Sequence, residues 1–458
     1  MAAARHGHLT THFAALSRHG AGRLAVKPHP SSCLHRKPQI HPRFPSFAAG
    51  RPPTTLPATM SQVLPLSRHA DAHERIAAAT ATLVQQLAAT AVERDQAGGH
   101  AAAEREHIRA SGLLTLTIPR ELGGLGADWP TFFNVLRQLA QVDSALAHLF
   151  GFHHLQLAGV LLYGNADQQR TLLRRTVDEQ LFWGNALNPL DKRTLAREVD
   201  GGFVLDGLKS FASGSVGSDQ LTISAWHEPS QTALIAAVPT RREGVSVQAD
   251  WDAFGQRQTD SGNVAFRQVL VSHDEVLQAP GVVPTARATL RSQVAQLIMA
   301  NLYLGIGLGA FDEARHYTRE SSKPWFAAGV AQAVDDPFIQ HRYGELWLLL
   351  RPAIALADAA AIRLDQALRQ GPAVTAAERG EVAIAVAEAK ALSHRAGLEV
   401  SSQLFELTGA RSTSQRYGLD RFWRNARVHT LHDPIDYKLR DIGRYVLNGQ
   451  IPEPTAYS

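Results

Sequence analysis

Residues 421–443 read Arg-Phe-Trp-Arg-Asn-Ala-Arg-Val-His-Thr-Leu-His-Asp-Pro-Ile-Asp-Tyr-Lys-Leu-Arg-Asp-Ile-Gly. This stretch gathers basic, aromatic, imidazole and carboxylate groups in a chain otherwise rich in Ala and Leu. His429 and His432 are three residues apart, so on a helix they share a face. Pro434 disfavours helical geometry at Asp433, which ends a first helix there. Asp433 then has the chemistry of an N-cap and Pro434 that of the first residue of a second helix. That helix runs to about Leu447 and stops at Gly449. The bland expectation is a capped corner between helices with its histidines in solvent. The sharper one is a site built around two imidazoles and a carboxylate. A metal site is not expected, because His429 and His432 bring no assignable third ligand.

The surrounding chain is long enough for two or three domains. Residues 1–70 contain no Asp or Glu. Setting residues 1–59 aside removes eight of the 46 Lys and Arg and none of the 42 acidic residues, so the body carries a net charge of −4. The basic pI of 9.3 is thus owed to the first segment. A mildly acidic body gives no reason to expect nucleic acid or an anionic membrane as partner. No run of about 18 apolar residues suggests a membrane span. The segment 1–69 is expected to be a disordered or mis-assigned extension. Met60 is then the preferred start, with a transit peptide as the alternative. Cys33 lies within it and is the only cysteine. The body therefore has no thiol to pair, which fits a cytoplasmic protein.

Periodicity divides the body into three parts: helical over 70–180, β-rich over 181–285, helical over 286–458. The first part begins with a long helix broken at Gly98-Gly99. The run 151–154, Gly-Phe-His-His, is expected to separate two further helices. His153 and His154 interrupt an apolar run, where a lone histidine is usually a satisfied core group. Asp200-Gly201-Gly202 is a hairpin turn within the β part. Gly305, Gly307 and Gly309 sit inside a long helix, where they favour close packing over phosphate contact. With the helices at 337–368 and 376–409 and the last helical segment, this makes a four-helix bundle. The fold class is α+β, mostly α.

Several motifs carry a family resemblance. Ile118-Pro119-Arg120-Glu121-Leu122-Gly123-Gly124-Leu125-Gly126, the loop Lys209-Ser210-Phe211-Ala212-Ser213-Gly214-Ser215, and Arg424-Asn425-Ala426-Arg427 followed by a turn resemble the acyl-CoA dehydrogenase superfamily. Where that superfamily usually places its catalytic glutamate, this chain has Leu431-His432-Asp433-Pro434. That form is similar to the flavin-dependent monooxygenase branch, which includes dibenzothiophene monooxygenase and the sulfone-metabolism proteins. The resemblance spans roughly residues 75–458. It implies an N-terminal helical domain, a middle β domain forming one wall of a flavin pocket, and a C-terminal bundle. It implies one oxygen atom passing from a C4a-hydroperoxyflavin to a small, organosulfur substrate. His432 is then the first choice to hold or protonate the peroxide, with His153 assisting, His429 orienting and Asp433 as partner or cap. Asn185, Ser213, Ser215, Arg319, Ser412 and Thr413 are the implied cofactor contacts. Arg319 suits a phosphate through its planar fork; Ser412 and Thr413 lie on a turn that resembles the family's glycine turn approaching a neighbouring subunit's flavin. No dinucleotide fingerprint is visible, so reduced FMN from a separate flavin reductase is expected over FAD. A homotetramer follows from the resemblance alone. The alternatives are an FAD-dependent acyl-CoA dehydrogenase using Asp433 as base, and a non-catalytic scaffold.

Overall fold

The computed structural model describes residues 67–458, with side chains from Ala72 onward. The expectations for residues 1–59, including Cys33, and for Met60 as the start lie outside the described residues. The Ala-rich run forms α1 (Ser67–Ala97), and Gly98 and Gly99 end it with positive φ. After α2 (Ala102–Ala110) come the Pro/Gly-punctuated connection, α3 (Trp129–Val142), α4 (Ser144–Tyr163) and α5 (Ala166–Glu179). The break between α3 and α4 falls at Asp143, not at Gly-Phe-His-His. The Asp143 side chain accepts from the backbone N–H groups of Ala145 and Leu146, a helix N-cap. Gly151 stays inside α4, where its missing side chain serves packing. A Cβ there would lie 3.0 Å from Ile298 and 3.1 Å from Leu136.

The middle of the chain folds into an eight-stranded sheet. Its strands are β1 (Trp183–Ala186), β2 (Leu195–Val199), β3 (Gly202–Lys209), β4 (Gln220–His227), β5 (Thr232–Pro239), β6 (Val245–Val247), β7 (Val264–Ser272) and β8 (Val276–Gln278). The order is β6-β7-β3-β2-β4-β5-β8, with β1 parallel to β4 in the register Trp183 to Gln220. Leu205, Leu221, Ile223, Val238, Val269 and Val271 fill its core. The turn at Asp200-Gly201 joins β2 to β3, as its residues require.

The C-terminal part comprises α6 (Ala286–Glu320), α7 (Pro337–Arg369), α8 (Ala376–Thr408), α9 (Asp420–His429) and α10 (Ile435–Asn448). The helices α6, α7 and α8 pack on one another, and α10 lies against α8. α3 and α4 pack on α6 as well, so one apolar core joins both helical parts. The glycines of α6 explain the closeness. A Cβ on Gly305 would sit 2.5 Å from that of Ala140, and one on Gly309 would meet the Gln141 carbonyl. α4 and α6 are long and apolar enough to cross a membrane by composition, but 94% and 89% of their apolar windows are buried inside the protein. They are the core helices of this fold.

Candidate active site

A cleft of about 1030 Å³ opens where α4, α6, the sheet and the turn after α9 meet. α4 contributes His148, Phe152 and Leu155, which share one face at spacings of four and three. The β domain contributes Asn185, Phe211, Ser213 and Trp251. α6 contributes Arg291, Gln296 and Met299, and the turn contributes His429, Leu431 and His432. Pro454–Tyr457, beyond α10, line it too. The loop 251–261 is clamped to α9, because the Asn425 side-chain oxygen accepts from the Gln256 N–H at 2.6 Å. Sequence positions nearly 170 residues apart are thereby held in one wall.

Two of the imidazoles are fully enclosed. His148 lies stacked on Phe152 with centroids 4.0 Å apart, and 4.8 Å from His429. Among the described residues, neither nitrogen of His148 has a hydrogen-bond partner, nor has Nε2 of His429. Burial holds His429 down to about 3, with the nearby His432 and Lys390 adding to the effect. Burial, then His429 and His432, push His148 well below the ordinary value. Both are therefore neutral near pH 7; His148 can offer a lone pair and an N–H, and His429 one or the other at Nε2. Buried polar atoms without partners are rare enough to require an explanation, and facing a cleft they point to a ligand.

His432 is built differently. Its Nδ1 lies 3.0 Å from Asp433 Oδ1, and its ring lies 5.6 Å from that of Tyr457. Asp433 also binds the ammonium of Lys390, on α8, which in turn donates to Gln296 Oε1 at 2.6 Å. Burial would raise the Asp433 carboxyl, but the His432 hydrogen bond and the Lys390 charge outweigh it and hold the group well below the carboxylate range. Burial lowers Lys390 despite Asp433, since one carboxylate does not restore all the lost hydration. With Nδ1 tied to a carboxylate, Nε2 is the His432 nitrogen left for the cleft.

The expected cap is thus corrected. α10 starts after Pro434 and has no side-chain cap bond, because the Asp433 oxygen is turned inward to Lys390 and His432. His432 is also not on a shared helix face with His429, since α9 ends at His429. His153 is not in the cleft. Its Nε2 donates to the Leu114 carbonyl at 2.8 Å and its Nδ1 accepts from the Trp183 N–H at 3.1 Å. Both nitrogens are used, and burial holds the ring at about 4, neutral. It ties α4 to β1, and the cleft position falls to His148. Five residues along a helix turn a side chain about 140° away, so His153 and His148 face different neighbours. The pairing of His148 with Phe152 and Leu155 on one stripe was the available signal.

Asn185 and Ser213 line the cleft. Asn185 Oδ1 is buried without a partner, and Ser213 Oγ shares a hydrogen bond with Ser261 at 2.8 Å. Ser215 is buried behind them and does not line it. Arg319 is exposed at the end of α6, Thr413 is exposed, and Ser412 is buried against Thr408 and the Gly409 carbonyl. None of these three reaches this cleft within the chain. Among the described residues no group of three or more potential metal ligands occurs. The cleft does fit a flavin. Its volume is at the upper end of the range of about 300–1000 Å³ usual for ligand sites. Its walls are mainly apolar, with Phe211 and Trp251 edge to face at 5.9 Å. The open Asn185 Oδ1 can accept from a ring N–H, and the Ser213 hydroxyl can donate or accept, so the pair suits a ring that carries an N–H beside its carbonyls.

Comparison with known proteins agrees with this geometry. Residues 70–180 match the family described as Acyl-CoA dehydrogenase, N-terminal domain, and residues 297–437 match its C-terminal domain. The chain belongs to the acyl-CoA dehydrogenase family. Within it, the chain is similar to monooxygenases. It is 48% identical to the "Probable FMNH2-dependent monooxygenase SfnC" of Pseudomonas putida, over 82% of this chain and 95% of the relative. The structure of methanesulfinate monooxygenase MsuC from Pseudomonas fluorescens matches with a TM-score of 0.82 and 46% identity, covering 83% of this chain and 98% of that one. TdsC from Paenibacillus sp. A11-2, solved with FMN and indole, matches with a TM-score of 0.81 and 41% identity, over 84% of this chain and all of that one.

Proposed function

We propose that this chain is a reduced-flavin-dependent monooxygenase that adds one oxygen atom to the sulfur of a small organosulfur compound. The cofactor is FMN, in keeping with the FMN held by the related TdsC. The observation that carries the reading is the His148–His429 pair, buried and neutral, with both His148 nitrogens and His429 Nε2 open at a cleft lined by flavin-compatible groups. When bound, reduced FMN activates O₂ and delivers one of its atoms to the substrate. The chain's own part is to orient the reactants, exclude water and place proton donors. His148 and His429 supply hydrogen bonds in a site dry enough to strengthen them. His432, fixed through Nδ1 by Asp433, holds or moves the proton at Nε2. Asn185 and Ser213 orient the flavin ring.

The dehydrogenase alternative asks Asp433 to abstract a carbon-bound proton in an apolar site, which requires a basic, accessible carboxylate. Here Asp433 is engaged by Lys390 and His432 and is not among the groups lining the cleft. That arrangement favours a support role. We place the enzyme in the cytoplasm, fed with FMNH2 by a separate reductase; the name of its P. putida relative states the FMNH2 dependence alone. We also propose a homotetramer. Exposed Phe338, Trp347, Leu348 and Ile362 on α7 support burial against another copy, and the exposed Arg319 and Thr413 are then open to a neighbour's flavin phosphate, whereas Ser412 is buried and already hydrogen-bonded.

The test is His432→Ala at matched FMN saturation. The proposal expects unchanged fold and FMN affinity, loss of oxygenated product, and continued O₂ uptake ending in hydrogen peroxide. Coupled oxygenation at the wild-type level would refute the role of His432.

A further inference from the structure

Arg291, near the start of α6, is 93% buried and lines the same cleft. Buried Arg379 is met by Thr289, Ser292 and the Ser458 main-chain oxygen, whereas buried Arg105 and Arg137 have carboxylate partners in Asp260 and Asp358. Arg291 has none. Its Nη2 donates to the neutral Gln156 at 3.1 Å, and its Nε has no partner. Tyr163, with its ring centroid 6.0 Å from the guanidinium carbon, is the ionisable group beside it. Gly159 makes room for it, since a Cβ there would come within 3.1 Å of Nε. Among the described residues, Asp252, exposed on the β-domain loop, is the only carboxylate lining the cleft. A buried cation without a counter-ion costs several kcal/mol, and that cost is recovered when a ligand brings the anion.

We propose that Arg291, with Gln156 and Tyr163 beside it, is the anion-binding end of the substrate subsite and selects small sulfur oxyanions of the alkanesulfinate type over neutral thioethers and sulfoxides. The proposal rests on the organosulfur monooxygenase reading and deepens it. A guanidinium fork matches two oxygens of one sulfur group, holding the compound by its charge while the sulfur lone pair stays open. The reaction balances as sulfinate, O₂ and FMNH2 giving sulfonate, FMN and water. One S–O bond forms, the O–O bond breaks, sulfur loses two electrons and the reduced flavin loses two. A site built for charge pairing discriminates strongly against a neutral analogue, because the analogue leaves the guanidinium unpaired.

The experiment compares wild type with Arg291→Met and Arg291→Lys. Binding of an unreactive short alkanesulfonate is measured by calorimetry and by the thermal shift it causes; kcat/KM is measured for an alkanesulfinate and for a dialkyl sulfide. The expected result for Arg291→Met is alkanesulfonate binding weaker by roughly 10- to 150-fold, no thermal shift, and a matching loss of kcat/KM for the sulfinate only. Arg291→Lys should recover part of it. The Met variant should unfold no lower than wild type, since it removes an unpaired buried charge. Unchanged sulfonate affinity in Arg291→Met overturns the proposal. So does a loss confined to FMN affinity, which would assign the guanidinium to the flavin phosphate. Anion binding that depends on Arg291 in an enzyme that oxygenates no sulfur compound would sustain the anion site and defeat the monooxygenase reading instead.

Discussion

The pair Lys390–Asp433 offers the most quantitative handle on the site. Lys390 is 1% exposed and Asp433 9%, so solvent screens their attraction little. Lys390→Met leaves Asp433 as a buried carboxylate with only His432 and takes the donor from Gln296. Breaking one partner of such a pair costs about 3–5 kcal/mol. Asp433→Asn removes the opposite charge and should cost about as much, because Lys390 then faces only neutral oxygens. The double variant loses both charges together and should cost at least about 2 kcal/mol less than the sum of the singles. Equilibrium urea unfolding of the four proteins, followed by tryptophan fluorescence at constant FMN, measures this coupling. In the same proteins the ratio of oxygenated product to O₂ consumed should fall with either single change, because Asp433→Asn takes the carboxylate from His432 Nδ1 and Lys390→Met removes the group that fixes that carboxylate. Costs that add within about 0.5 kcal/mol would show that the contact carries no coupling, and the support assigned to His432 would fail with it.

Two further outcomes follow from the same geometry. His153→Leu should destabilise the protein by about 2–6 kcal/mol, since the Leu114 carbonyl and Trp183 N–H each lose a buried partner at about 1–3 kcal/mol apiece, while folded enzyme keeps its coupling; His148→Phe should do the opposite, and a stable, uncoupled His153→Leu would contradict both assignments. Acid should weaken the fold early: His429 is held at about 3 and His153 at about 4 in the folded chain against 6.5 when unfolded, so between these values the unfolded chain binds more protons and stability rises with pH. The urea midpoint should therefore drop as pH falls from 7 to 5, with each such group adding up to about 1.4 kcal/mol per pH unit; a flat midpoint across that interval would contradict neutral burial.

The three-part organisation was legible because its signals are local. The Gly98-Gly99 stop, the Asp200-Gly201 hairpin and the α6 glycines each state their own geometry. The site was legible in part, for a physical reason. His429, His432 and Asp433 stand together in sequence, and the turn forced by Pro434 keeps them near one another. Which atom each side chain faces depends on partners far away: Lys390 draws Asp433 off the helix end, and Leu114 and Trp183 claim His153. His148 went unseen within an apolar run, where only the stripe it shares with Phe152 marks it. Arg291 reads as one more charged residue until the absence of a carboxylate beside it is seen. Arg319 and Thr413 lie away from the chain's own cleft, so their proposed role depends on a second copy, and Ser412 is spent on Thr408 and the Gly409 carbonyl.

The central claim is transfer of one atom of O₂ to sulfur by reduced FMN held in this cleft. A single turnover with chemically reduced FMN, ¹⁸O₂ and an organosulfur substrate, read by mass spectrometry, tests it without any reductase. The account predicts product carrying one ¹⁸O atom, formed in step with flavin oxidation and lost in His432→Ala. Hydrogen peroxide as the sole product from wild type across sulfur substrates, or flavin reduction by an acyl-CoA in its place, would contradict it.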